Sequence, residues 1–138
     1  VSASVLWGLG YAMAEKVLNT GLHPSILMLA TATITFPLFV FLAFYLEQVK
    51  PGIALITANP KILLMMLVNA LCIVVGGYLI LVAVNLKNAT LVNMIEMTYP
   101  FFTALFAYFL LKEAQLNSWT AFGGLFIIIG LMIITIKS

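Results

Sequence analysis

Residues 62–86 hold no charged side chain. A helix over that stretch is about 37 Å long at 1.5 Å per residue, more than the roughly 30 Å hydrocarbon core of a bilayer. Comparable runs recur along the chain. ILMLATATITFPLFVFLAFYL precedes it, and LVNMIEMTYPFFTALFAYFLL and WTAFGGLFIIIGLMIITI follow it. None alternates polar and apolar positions as the strands of a transmembrane barrel must. The chain is therefore expected to be an all-α, polytopic membrane protein. Its composition agrees: 64% of residues are hydrophobic and 7% charged, with a mean hydropathy of +1.22, whereas soluble domains carry about 25% charged residues.

Helix punctuation divides the chain into five expected spans, at about 3–20, 24–48, 60–86, 89–112 and 117–137. Gly21 stops the first and Pro24 starts the second. Asn59 and Pro60 read as the cap and first position of the third. Asn88 is a candidate cap for the fourth, and Asn117 or Ser118 for the fifth. Pro37 and Pro100 fall inside spans, where a missing amide kinks a helix. VKPGIALITANPK is the longest connection, and its apolar centre is expected to lie along the membrane interface. Residues 1–138 read as a single unit.

The charged residues exclude several functions. There is no Arg and no Asp, and six Lys supply all the strong bases. Without Arg, bidentate clamps on phosphate or carboxylate are missing, which argues against a phosphorylated substrate. No basic patch exists for nucleic acid. Cys72 and His23 are each the only residue of their kind, so no multi-cysteine metal site is expected, and no cofactor is implied. Neither a Ser–His pair nor a zinc-binding HExxH sequence is present, which argues against an enzyme. Five spans would put Lys50, Lys61 and Lys112 near one membrane face and Lys16, Lys87 and Lys137 near the other. That balance gives no orientation by the positive-inside rule and permits an antiparallel pair.

Polar residues inside the spans are the candidate site. Converting position to depth places Glu15 about 7 Å, and Glu96 and Tyr78 about 10 Å, from one face. Tyr11 lies one turn deeper than Glu15. Asn93, Glu96, Pro100 and Thr103 share one stripe at three- and four-residue steps. Ser4, Gly8, Tyr11, Glu15 and Asn19 form another, with Trp7 beside it. The third span adds Asn69, Cys72 and Gly76 on one face, next to Gly77 and Tyr78. A carboxylate facing lipid costs about 2.5–3.5 kcal/mol on insertion scales, so Glu96 and Glu15 are expected to face the protein interior or a watery cavity. Pro100 has no amide to give to the carbonyl of Glu96, so this position resembles a cation or proton site beside a broken helix. Glu47 and Glu113 read as solvated helix ends. Gly123 and Gly130, seven apart, allow close helix packing or a subunit contact.

The segment YPFFTALFAYFLLKEAQLNSWTAFGGLFIIIGLMII resembles the closing part of an EamA repeat of the drug/metabolite transporter superfamily. Tyr99-Pro100, Lys112-Glu113 and the glycine-rich last helix carry the likeness. LWGLGYAMAEKVL, with Trp7-Gly8, resembles that family's opening helix. The resemblance implies a five-helix unit that is one half of an inverted-repeat transporter, with helices 1, 3 and 4 lining a cavity. It implies a partner as well: either a homodimer, antiparallel in one arrangement, or a second five-helix half. The more distant small multidrug resistance proteins work as antiparallel dimers and exchange protons for cations through a carboxylate on helix 1, and Glu15 lies on a comparable helix. The expected function is secondary transport or export of a small neutral or cationic organic metabolite or drug, coupled to protons through Glu96 and Glu15. Asn93, Tyr11, Tyr78, Trp7, Asn69 and Tyr99 are expected around the solute. The expected location is a bacterial or archaeal inner membrane. The alternative is a non-transporting scaffold or auxiliary subunit that pairs with another membrane chain.

Overall fold

The computed structural model describes residues 2–112 and 117–137. Glu113, which the sequence reading placed at a solvated helix end, lies outside the described residues. The described residues form seven helices: α1 (Ser2–Leu18), α2 (Pro24–Tyr45), α3 (Val49–Ala58), α4 (Pro60–Leu86), α5 (Ala89–Glu96), α6 (Tyr99–Leu111) and α7 (Ser118–Lys137). Four segments are long and apolar enough to cross a membrane: α2, α4, Ala89–Leu111 taken across α5 and α6, and Ser118–Ile136. α1 has 17 residues, at the lower edge of the spanning range of about 17–25. It ends earlier than expected, because the turn begins at Asn19.

The helix ends follow from local chemistry. Gly21 adopts a φ of 90°, which glycine reaches without strain, and its amide bonds back to the carbonyl of Leu18 at 2.9 Å. Pro24 opens α2, where the absent amide would have had no partner. His23 caps that helix, its Nδ1 accepting from the amide of Ser25 at 3.3 Å. Asn59 caps α4 by accepting from the amide of Lys61 at 3.1 Å, and Asn117 caps α7 by accepting from the amide of Thr120 at 2.7 Å.

α2 stops three residues before the expected boundary. Glu47 turns left-handed, with φ at 56°. The amide of Gln48 then reaches the carbonyl of Ala43 at 3.0 Å, and that of Glu47 reaches Phe44 at 3.0 Å. This is the paired bonding of a Schellman turn, in which glycine is the usual left-handed residue. The chain restarts as α3. Pro51-Gly52, which reads in sequence as a breaker, sits in the first turn of α3, where proline costs no helical hydrogen bond.

The chain divides into two compact units, Val1–Asn88 and Ala89–Ser138. In the first, α4 is the hub: α1, α2 and α3 all pack against it, and α1 also packs against α2. Leu18 and Val84 are buried. Met28 of α2 lies over Gly77 of α4, its methyl 3.7 Å from where a Cβ would stand. In the second unit, α6 and α7 meet where the ring of Phe101 covers the buried Gly124, and Ala89, Val92, Ala107 and Leu131 are buried.

Most large apolar side chains remain on the outside, among them Phe39, Leu71 and Leu110. That surface suits acyl chains. Several threonine hydroxyls on it are satisfied within their own helices. Thr31, Thr33 and Thr35 donate to the carbonyls of Leu27, Leu29 and Thr31 at 2.8–2.9 Å, and Thr135 donates to Leu131 at 2.8 Å. A hydroxyl bonded this way can enter lipid without an outside partner.

Candidate functional site

The expected span over 89–112 is interrupted at its centre. α5 ends at Glu96, and α6 begins at Tyr99. Between them the hydrogen bonding tightens. The amide of Met97 is shared between the carbonyls of Asn93 and Met94, at 3.2 and 3.3 Å. The amide of Thr98 reaches only three residues back, to Ile95 at 3.1 Å, and its hydroxyl donates to the same carbonyl at 2.9 Å. Phe101 likewise bonds to Thr98 at 3.1 Å. Thr98 itself stays in the right-handed helical region, so the interruption loosens the bonding ladder and leaves the backbone conformation helical. Pro100 accounts for the local cause, since it cannot donate four residues back to Glu96. Short runs of such tightened turn inside a helix commonly mark hinges.

Glu96 and Asn93, three residues apart on α5, are both half-buried. Tyr99 and Pro100, beyond the break, are exposed. The stripe expected from Asn93 through Thr103 is thus divided between two helices. The hydroxyl of Thr103 donates to the carbonyl of Tyr99 at 3.0 Å.

In the first unit, Tyr11 and Glu15 of α1 are half-buried, whereas Lys16 is exposed. Trp7, Tyr11 and Glu15 recur at four-residue steps and so share a stripe. The rings of Trp7 and Tyr11 lie 6.4 Å apart at a tilt of 41°, although Trp7 is 70% exposed. On α4, Asn69 is exposed, and Tyr78 is 37% exposed. Pro37 lies inside α2, which continues unbroken to Tyr45.

Two structural residues escaped the sequence reading. At Gly123 and Gly130 an added Cβ would meet nothing within 4 Å, whereas at Gly124 it would collide with the ring of Phe101. The paired glycines of AFGGL were the available signal, and the seven-residue spacing drew attention to the other glycine of the pair. The sequence marks His23 only as the lone histidine, and its place directly before Pro24 was the clue to its capping role.

A chain of apolar helices with half-buried internal carboxylates, one of them closing a helix at a tightened turn, has the parts of a solute carrier. The family model of EamA-like transporters matches residues 1–136. The chain belongs to that family. Comparison with curated proteins and with solved structures gives no match. As an EamA-like protein it is an integral membrane transporter of the drug/metabolite type, acting on a small-molecule solute within lipid.

Proposed function

We propose that this EamA-like protein is a secondary transporter or exporter that moves a small neutral or cationic organic solute in exchange for protons. Glu96 is the coupling carboxylate, and Glu15 is the second acidic group. The working form is a pair of five-span halves in inverted orientation, either two copies of this chain or this chain with a second half. Rocking of one half against the other then gives alternating access.

The observation that carries the reading is the setting of Glu96. It is half-buried, closes α5, and stands one residue before a tightened turn, in a segment otherwise apolar enough to span a membrane. Ionisable groups in such segments are costly to insert and mark substrate or proton pathways. Helix breaks are tolerated at membrane depth where protein or a water-filled cavity surrounds them. The Trp7–Tyr11 ring pair, on the stripe that leads to Glu15, supports a cationic solute through its negative ring faces. The absence of Arg disfavours an anionic solute.

Reconstitution into proteoliposomes tests the proposal. An imposed pH gradient should drive uptake of a fluorescent organic amine, and Glu96→Gln should end it. Unchanged uptake in that variant removes Glu96 from the mechanism. Uptake that ignores the pH gradient in the unaltered chain removes proton exchange.

A further inference from the structure

α3 has ten residues and is about 15 Å long, half the thickness of a bilayer core. It cannot cross. Its neighbours α2 and α4 can, so the end of one and the start of the other lie at the same membrane face, and α3 joins them there. Each junction is a sharp turn. The left-handed Glu47 ends α2, and the extended Asn59, at φ −138° and ψ 96°, separates α3 from α4.

The residues of α3 sort by face. Val49, Gly52 and Ile56 are half-buried, and the helix packs against α4. Lys50 and Thr57, seven apart, share an exposed stripe. Leu55 lies on the opposite flank and is 60% exposed, with Pro51 also exposed on that side. Lys61 is exposed in the first turn of α4. A short helix with an apolar flank, a lysine-bearing stripe and a position fixed at the membrane face has the form of an interfacial helix.

We propose that α3 is an interfacial anchor. Leu55 enters the acyl boundary of the bilayer, and Lys50 with Lys61 binds the phosphates of anionic lipid headgroups. Two lysines against the single acid Glu47 give this loop a positive balance that complements such headgroups. The inference concerns lipid rather than solute and stands independently of Glu96.

The test uses the full chain in phosphatidylcholine–phosphatidylglycerol vesicles, with Trp7→Phe and Trp119→Phe so that a single new tryptophan reports. In Leu55→Trp, brominated acyl chains should quench the fluorescence more strongly than in Thr57→Trp. Brominated phosphatidylglycerol should compete better than brominated phosphatidylcholine, and Lys50→Gln with Lys61→Gln should lower that preference by about fivefold per lysine. Ala58→Trp, at an exposed position three residues on along the same flank, gives a second reporter if Leu55→Trp does not fold. Absence of quenching at both 55 and 58 overturns the proposal, whether water or a second copy of the chain covers the helix. Equal competition by the two lipids overturns the lysine role.

Discussion

α2 and the Ala89–Leu111 segment are near twins in length, at 22 and 23 residues, and each carries one proline near its middle. α2 runs through Pro37 without interruption and is finished at both ends, by His23 and by the Schellman turn at Glu47. Ala89–Leu111 comes apart just before Pro100. The residue four positions before the proline differs in kind. For Pro37 it is Thr33, whose hydroxyl is already satisfied by the carbonyl of Leu29. For Pro100 it is Glu96, a carboxylate. Proline alone therefore does not decide whether a membrane helix breaks. The proline a turn after Thr33 is absorbed, and the one a turn after the carboxylate Glu96 coincides with a tightened turn.

The largest effect that could break this contrast is on transport. Pro100→Ala supplies the amide that the carbonyl of Glu96 would receive in a continuous helix. Uptake in proteoliposomes should fall about tenfold or more, as for a hinge substitution, and Pro37→Ala should stay within about twofold. Hydrogen exchange at residues 97–101 should slow in Pro100→Ala alone. Equal losses from both substitutions would show that the two prolines do the same job.

Next comes packing around the break. Phe101 directly follows Pro100, and its ring covers Gly124. Gly124→Ala should destabilise the protein by about 1–3 kcal/mol in detergent unfolding titrations, the range for overpacking. Gly77→Ala should cost much less, because the added carbon meets the methyl of Met28 at an ordinary 3.7 Å.

The smaller effects concern the ends of α2. Glu47→Gly should stabilise by about 1 kcal/mol, since glycine adopts the left-handed conformation without the Cβ penalty. His23→Ala should destabilise by about 0.5–1 kcal/mol through loss of the cap. Both substitutions should leave uptake unchanged, in contrast to Pro100→Ala.

Much of the architecture was legible because prolines, asparagines and glycines punctuate the chain. Pro24, Asn59-Pro60, Asn117 and Gly21 each mark a boundary the structure keeps. α3 was hidden by Pro51-Gly52, a dipeptide that usually breaks helices but is harmless in a first turn. The early end of α2 was hidden as well, because Glu47 gives no sign that it will turn left-handed. At the candidate site, hydropathy pointed to Glu96 and Glu15 because charge stands out in an apolar run. It could not say which way Asn69 faces, since α4 is apolar around its whole circumference and offers no periodicity to read. Pro100 after Glu96 announced the interruption, but hydropathy could not foresee that the amide of Met97 would be shared between Asn93 and Met94.

Proton release on solute binding is the decisive measurement for exchange at Glu96. The purified chain in detergent, in weak buffer with a pH indicator, is titrated with the transported amine. The unaltered protein should release protons as solute binds, and Glu96→Gln should release far fewer. Undiminished release from Glu96→Gln would contradict exchange at that residue and move the coupling site elsewhere in the chain.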